Sequence, residues 1–244
     1  MSAPTVLFQI GNFPIHLFGV MVAFGILAGF YVTIQEARRM GLNPDKVTDL
    51  ALVLMIGGIL GARILYVLLN FQYYLQNPVS VLHVSKGGLS FHGAAFAGVI
   101  IVYLFAKRNR VSFLSTADLL SPGFVLGYAV GRLGCDIYGN AASVPWAVTI
   151  NGIARHPVQF YSAFIGFVIF ASLWSKRKAS RFEGEIFLLF ATLYSGYRFF
   201  IEFFRNDGSV TPAQIVSIFI AAVCLIIYRL LIRQASLLLE GGRR

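Results

Sequence analysis

Residues 127–139 read GYAVGRLGCDIYG, an apolar segment with regularly spaced glycines that runs into a short polar loop. At the junction, Arg132, Cys135 and Asp136 place a guanidinium, a thiol and a carboxylate within five positions. The preceding segment is apolar enough to lie in a membrane, where charged side chains are costly and usually mark a site. The stretch therefore predicts both the class of fold and the location of a site within it.

The composition indicates a membrane protein. The 244 residues are 57% hydrophobic and only 12% charged, about half the charged fraction of a soluble domain. The basic residues behind the net charge of +10 are dispersed between apolar runs, which favours membrane anchoring over a nucleic-acid partner. Cys135 and Cys224 are far apart and lack metal-ligand spacing, so no disulfide, metal or cofactor is expected. We predict a single polytopic membrane domain over residues 1–244.

Apolar runs of about 20 residues are long enough to cross a bilayer and predict an all-α fold of about seven transmembrane helices. They lie near residues 15–34, 50–71, 90–106, 113–132, 157–175, 184–204 and 212–232. The third run is short, and Ser121, Pro122 and Gly123 are expected to interrupt the fourth. Discontinuous elements at membrane depth survive only beside protein or a wet cavity. No Lys or Arg precedes the first run, so no cleavable signal peptide is predicted.

The loops between these runs differ in charge. One set contains Arg38, Arg39, Lys46, Lys107, Arg108, Arg110, Lys176, Arg177, Lys178, Arg181, Arg229, Arg233, Arg243 and Arg244. The opposite set contains only Lys86, Arg132, Arg155 and Arg205. Because Lys and Arg are enriched in cytoplasmic loops, we predict that the N-terminus lies outside and the C-terminus in the cytoplasm.

Paired glycines predict where helices approach one another. Gly25 and Gly29, Gly57 and Gly61, and Gly127 and Gly131 are each separated by three residues. Such pairs occupy one helix face and allow two backbones to pack closely in a membrane.

Several charged or polar residues lie in these runs, namely Arg63, His92, Asp118, Arg198 and Glu202. Arg198 and Glu202 are four residues apart, on one helix face, and are expected to pair. Tyr194 lies one turn earlier on that face. An internal ion pair that only fixes helix packing would also explain this pattern.

The predicted topology gathers polar side chains near the outer face. His92 opens the third run, Arg132 closes the fourth and Gln159 opens the fifth, while Arg198 and Glu202 lie near the outer end of the sixth. Two guanidiniums suit a phosphate, which each can bind in bidentate fashion. The residues alone therefore predict an outward-facing site for an anion or a phospholipid headgroup, and leave both a lipid-modifying enzyme and a transporter open.

Four motifs in order give the chain a resemblance to a known family. They are GGLSFHG at 87–93, GRLG at 131–134, RHPVQFY at 155–161 and YRFFIEFFR at 197–205. Together they resemble the bacterial prolipoprotein diacylglyceryl transferases over nearly the whole chain. The resemblance implies a seven-helix protein of the bacterial plasma or inner membrane. It also implies transfer of the diacylglyceryl group of phosphatidylglycerol to the lipobox cysteine of a preprolipoprotein signal peptide, with release of glycerol phosphate.

The resemblance also implies roles for individual residues. Arg132 and Arg198 would hold the phosphate, and Glu202 would orient Arg198. His92 would assist deprotonation of the substrate thiol, which attacks as the thiolate. The substrate-binding candidates are Tyr194, Gly139, Gln159 and Arg63.

The chain departs from the family pattern in three places. Phe18 stands where a tyrosine is usual, and Ser162 where a glutamate is usual. After Arg132 the family has an asparagine and, further on, a glutamate; a deletion of about four residues would put Cys135 at the asparagine, align Gly139 with a family glycine, and leave Asp136 as the nearest carboxylate. We therefore hypothesise that Asp136 replaces that glutamate, although a solvated loop acid fits equally well.

Two other functions stay open. One is a family relative with another lipid substrate or a binding role only. The other is an outward-facing transporter of anions or lipids, which the apolar inner halves of most runs disfavour because a transport path needs polar residues along its length.

Overall fold

Long apolar helices make up most of the chain in a computed structural model that describes residues 6–11, 13–83, 87–205 and 210–241. The helices are α1 (Leu17–Arg39), α2 (Pro44–Leu69), α3 (Phe71–Gln76), α4 (Phe91–Asn109), α5 (Phe113–Leu133), α6 (Val158–Lys176), α7 (Glu185–Ile201) and α8 (Pro212–Gly241). All but the short α3 are long and apolar enough to cross a membrane, which confirms the predicted all-α membrane fold with seven spans.

Two small antiparallel hairpins and several 3-10 turns complete the described chain. The strands are β1 (Val6–Ile10), β2 (Phe13–His16), β3 (Val148–Ile150) and β4 (Ile153–Arg155), paired as β1 with β2 and β3 with β4. The 3-10 turns are Pro78–Leu82, Arg177–Ala179 and Glu202–Phe204. The orientation of the termini remains a prediction, and Lys86, Arg243 and Arg244, on which it partly depends, lie outside the described residues.

The predicted break in the fourth span is wrong. Helix α5 continues from Phe113 to Leu133 with Pro122 inside it. A helix in lipid cannot expose free backbone groups, and a single proline removes only one donor, so α5 continues through it. The third span is not a half-length element either, since α4 has 19 residues.

The chain folds into two compact units, residues 1–33 with 118–244, and residues 34–117. In the first unit, α1 packs on α5 through glycine faces: a Cβ added to Gly25 would lie 2.5 Å from the carbonyl oxygen of Gly127, and one added to Gly29 equally close to that of Gly123. These contacts confirm the predicted close approach of Gly25, Gly29 and Gly127.

In the second unit, α2 packs closely on α4. A Cβ added to Gly61 would lie 2.7 Å from the carbonyl oxygen of Gly93, and one added to Gly57 would meet the side chain of Ile101. The pair at Gly57 and Gly61 therefore also confirms its prediction, because backbones this close require that no side chain separates them.

The core of the first unit lies between α5, α6 and α7. Its buried side chains are Val125, Ile169, Leu173 and Ile186. The beginning of α7 is fixed to α5 by Asp118, whose two carboxylate oxygens each accept a backbone N–H at 2.7 Å, from Gly184 and from Phe187. Asp118 thus satisfies N–H groups that have no partner within their own helix. This contact fixes α7, which bears Tyr194 and Arg198.

Candidate active site

Arg132 ends α5 and joins a chain of hydroxyl groups that crosses three helices. Its Nη2 donates to Oγ of Ser162 on α6 at 3.2 Å. The same Oγ accepts a hydrogen bond of 2.6 Å from the hydroxyl of Tyr197 on α7 and donates to the carbonyl of Val158. Tyr197 in turn shares a hydrogen bond of 2.8 Å with the hydroxyl of Tyr128 on α5. Ser162 is fully buried, so this network fixes where the guanidinium of Arg132 lies.

The guanidinium of Arg132 is only partly satisfied by the described residues. Its Nε is buried and has no hydrogen-bond partner among them. Its Cζ lies 6.0 Å from the ring centre of Tyr128, at the outer limit of a cation–π contact. A buried donor without a partner costs free energy, which is consistent with a site that a ligand completes.

Tyr194 packs against the tyrosines that precede Arg132 and Arg198 on their helices. Its ring packs edge-on against Tyr128 at 5.4 Å and contacts Tyr197 at 5.7 Å. Tyr128 lies one helical turn before Arg132 on α5, and Tyr197 directly precedes Arg198 on α7. Tyr194 thus packs against tyrosines that neighbour both of the arginines predicted to bind phosphate.

Arg198 and Glu202 form the predicted i, i+4 ion pair. Nη1 of Arg198 lies 2.5 Å from Oε2 of Glu202, and Nη1 of Arg205 lies 3.6 Å from the same oxygen. Glu202 is buried, whereas about 30% of each arginine side chain is exposed. One buried carboxylate thus fixes two partly accessible guanidiniums at the end of α7.

Gly139 allows the loop after α5 to reach the end of α7. A Cβ added at this position would lie 2.1 Å from the carbonyl oxygen of Phe204. The Gly139 N–H donates to the carbonyl of His156, and that of Asn140 to Phe204, both at 2.8 Å. Arg155 donates to the carbonyl of Gly139 at 3.1 Å. Any larger residue at 139 would push the loop away from the helix end that holds Glu202.

The remaining loop candidates lie just after Arg132. Sγ of Cys135 is 3.7 Å from the carbonyl oxygen of Gly131, so the thiol contacts the end of its own helix. Asp136 is half-buried. Burial raises the pKa of Tyr138, and the nearby charge of Asp136 raises it further. Asp136 therefore lies close to Tyr138 in the loop that follows the helix.

Gln159 lies in the first turn of α6, on the same face as Ser162 three residues later. Its side chain is buried, and its Oε1 has no hydrogen-bond partner among the described residues. Beside it, the hydroxyl of Tyr161 accepts from Nε1 of Trp146 at 2.6 Å and lies 3.2 Å from Nδ1 of His156. The start of α6 is therefore polar on one side and aromatic on the other.

His92 and Arg63 belong to the second compact unit. His92 is the second residue of α4, and its side chain is exposed. Its ring contacts that of Phe91 at 6.0 Å. Arg63, near the end of α2, is buried and directs its guanidinium at backbone carbonyls. These two candidates therefore lie together, in a different unit from the two arginines.

The hydroxyl network was not predicted from the sequence. There, Ser162 stands out only as a departure from the family glutamate, and Tyr128 and Tyr197 receive no role. A signal was present, since Tyr197 precedes Arg198 directly and Tyr128 lies four residues before Arg132. The partners come from three helices, however, so only tertiary structure brings them together.

Comparisons with known proteins show the family of the chain. The family model for prolipoprotein diacylglyceryl transferase matches residues 5–230. A phosphatidylglycerol–prolipoprotein diacylglyceryl transferase of Clostridioides difficile is 34% identical over 221 residues, which cover 87% of this chain and 89% of that protein. One from Bacillus cereus is 33% identical over 238 residues, covering 89% and 88%.

The family match includes all the site motifs, the first six apolar helices and most of the seventh. Both the share of the chain matched and the identity of the relatives are high enough to show the family. The chain belongs to the prolipoprotein diacylglyceryl transferase family and is a multi-pass enzyme of the bacterial cell membrane.

Proposed function

We propose that this protein transfers the diacylglyceryl group of phosphatidylglycerol to the thiol of the lipobox cysteine in a preprolipoprotein signal peptide. The observation that carries the proposal is the hydrogen-bond network in which Arg132 donates to Ser162 and Tyr197, the residue directly before Arg198, donates to the same Ser162, in a chain that belongs to this transferase family. Glycerol phosphate is the second product. Both substrates are membrane-associated, which suits a site at the ends of transmembrane helices.

The reaction exchanges a carbon–oxygen bond for a carbon–sulfur bond. The substrate thiolate attacks the glycerol carbon that is esterified to the phosphate, and the bond from that carbon to the phosphate oxygen breaks. The electron pair leaves with the phosphate oxygen, so negative charge on the phosphate grows in the transition state. Donors already oriented toward this charge lower the barrier, because they need no reorganisation during the reaction.

Arg132 and Arg198 supply those donors in our proposal. The contact with Ser162 orients Arg132, and the ion pair with Glu202 orients Arg198. Tyr194 packs against Tyr128 and Tyr197, and we propose that its hydroxyl donates to the same phosphate. A guanidinium binds a phosphate through two parallel N–H groups, so each orienting contact also fixes the plane in which binding occurs.

The proton of the substrate thiol passes to a base. We assign this role to His92, because its side chain is exposed at the beginning of α4 and the family resemblance implies this role for it. Asp136 stays the proposed replacement for the carboxylate that the family has after its arginine. Gln159 and Gly139 are proposed to act in substrate binding: Gln159 through an oxygen that has no hydrogen-bond partner among the described residues, and Gly139 by keeping the loop close to α7.

The proposed orientation places this site on the outer face. The last turns of α1, α4 and α6 contain Arg38 and Arg39, Lys107 and Arg108, and Lys176, all of which alternation of the spans assigns to the cytoplasmic side. Arg132 and Arg198 end α5 and α7 and would then lie outside. Labelling of a single cysteine introduced at Trp146 by a membrane-impermeant maleimide in intact cells, in a Cys135→Ser and Cys224→Ala background, tests this orientation.

Mass spectrometry of a lipobox peptide tests the function itself. The purified protein is incubated with the peptide in vesicles that contain phosphatidylglycerol. We expect the peptide to gain one diacylglyceryl group at its cysteine, and a peptide with serine at that position to gain none. If folded protein leaves the cysteine peptide unmodified, the proposed function is wrong.

A further inference from the structure

Arg63 donates hydrogen bonds to four backbone carbonyls in two stretches of chain. Its Nε donates to Val81 at 2.9 Å and its Nη2 to Ser80 at 2.6 Å. Its Nη1 donates to both Gly87 and Gly88, at 3.0 and 2.9 Å. The residue is only 7% exposed. A buried guanidinium therefore ties the 3-10 turn Pro78–Leu82 to the residues that lead into α4.

These contacts leave Arg63 little capacity for a substrate. A guanidinium has five N–H donors in a fixed planar fork, and four of the hydrogen bonds are already made to the backbone. Its Cζ also lies 5.3 Å from the ring centre of Tyr74. The geometry thus favours a structural role for Arg63, as a donor to backbone carbonyls, over the substrate contact that the family resemblance suggests.

The chain at Gly88 is shaped around this guanidinium. Gly88 has φ of +76°, and a Cβ added to it would lie 2.6 Å from Nη1 of Arg63 and 2.7 Å from the ring of Tyr66. Glycine adopts this backbone conformation without penalty. Only glycine at position 88 therefore allows the carbonyl to reach Arg63.

Two further contacts join α2 to the beginning of α4. The N–H of Ser90 donates to the carbonyl of Ala62 at 3.0 Å. A Cβ added to Gly93 would lie 2.2 Å from the carbonyl oxygen of Gly61. Residues 63, 62 and 61 thus meet residues 88, 90 and 93 in antiparallel order. His92 lies between the last two ties.

We propose that Arg63 is a positioning residue for His92. By binding the carbonyls of residues 80, 81, 87 and 88, it fixes the backbone that leads to the exposed imidazole. The proposal depends on the proposed function, in which His92 receives the thiol proton. An error of about 1 Å in the placement of a reacting group can lower a rate about 100-fold, so a remote tie of this kind affects catalysis.

Hydrogen exchange measured by mass spectrometry tests the positioning independently of activity. In Arg63→Lys, which keeps the charge but not the fork of donors, we expect amide exchange in residues 87–95 to be at least about tenfold faster than in the wild type, because local opening becomes easier. Gly88→Ala is a second route to the same change. Arg108→Lys, an exposed conservative change at the other end of α4, is the matched control. Unchanged exchange in both Arg63→Lys and Gly88→Ala would overturn the proposal.

A double-mutant cycle with His92→Gln tests whether the effect passes through His92. Arg63→Lys should lower kcat at least about tenfold and change the KM for phosphatidylglycerol by less than about twofold. In the His92→Gln background, the same substitution should lower kcat by less than about twofold, because the effects of coupled residues are not additive. Three results would contradict the positioning role of Arg63: a raised KM with unchanged kcat, an equal loss of kcat in both backgrounds, or full activity of His92→Gln. If the wild type itself transfers nothing, the proposed function is wrong, and hydrogen exchange still decides the positioning.

Discussion

Helices α5, α6 and α7 of the first unit have a charged cluster at each end, and the two clusters differ in how completely they are satisfied. Near the beginning of α7, the carboxylate of Glu185 is fully buried and receives the backbone N–H and guanidinium of Arg181 and the hydroxyl of Tyr228. Lys176 lies 3.5 Å from it. Buried charges with complete sets of partners are typical of structural sites.

At the opposite end the charged groups are less completely paired. Arg132, Arg198 and Arg205 are cationic, and Glu202 pairs with the last two. Arg132 relies on the neutral hydroxyl of Ser162 and has a buried Nε without a partner among the described residues. Excess positive charge with unsatisfied donors is the arrangement that an anionic ligand completes. The comparison distinguishes a cluster whose charges are satisfied within the fold from the cluster that we propose binds substrate.

The largest expected effect is loss of transfer when either phosphate arginine is removed. Arg132→Ala and Arg198→Ala should each lower the transfer rate by roughly 100-fold to 1,000-fold, the usual cost of losing a donor to developing negative charge. The protein should still fold and insert into the membrane, which thermal unfolding in detergent would check. Retained turnover in either variant would contradict the two-arginine site.

The Glu185 cluster should respond in the opposite way. Glu185→Gln removes the charge that compensates Arg181 and Lys176 and weakens the hydrogen bonds that the buried carboxylate accepts. We expect a lower melting temperature and less folded protein, with the transfer rate per folded molecule unchanged. A lower specific rate without a loss of stability would instead place Glu185 in the active site.

Gly139→Ala should have an intermediate effect, since it pushes the loop from the carbonyl of Phe204. Inserting a methyl group into a closely packed place costs about 1–3 kcal/mol. We expect reduced stability together with reduced transfer, because the loop is fixed to the helix end that holds Glu202. Gly152→Ala, in the β3–β4 turn with open space around its Cβ, is a control for loop glycines, although its φ of +79° makes some strain unavoidable.

Asp136→Ala should have the smallest of these effects on transfer. It tests whether the carboxylate of Asp136 takes part in catalysis or is only a solvated loop group. If Asp136 replaces the family carboxylate, transfer should fall by at least about tenfold, within the usual contribution of an acid–base group. Unchanged activity would refute that role. The same loss of negative charge should lower the pKa of Tyr138, which a tyrosinate absorbance titration against Tyr138→Phe would detect.

Sequence reasoning succeeded where side-chain patterns encode the structure. The seven spans follow from apolar length, and the pairing of Arg198 with Glu202 follows from helical spacing. The close approaches at the glycine pairs of α1, α2 and α5 were likewise predicted from spacing, but the helices that they contact were not.

It failed where partners are backbone groups or come from distant helices. The carbonyls that bind Arg63 depend on the backbone path through Gly87 and Gly88, which no side-chain pattern specifies. Asp118 was noted only as a charge in a span, yet it caps α7. Pro122 suggested a break because local propensity disfavours proline, whereas tertiary packing keeps α5 continuous.

The most direct test of the central claim compares one arginine from each end of the helices. Transfer to a lipobox peptide is measured by mass spectrometry, per folded molecule, for the wild type, Arg132→Ala and Arg181→Ala. We predict that Arg132→Ala loses at least about 100-fold in rate while Arg181→Ala keeps the wild-type rate per folded molecule. Equal losses in the two variants, or a wild-type rate in Arg132→Ala, would contradict the account.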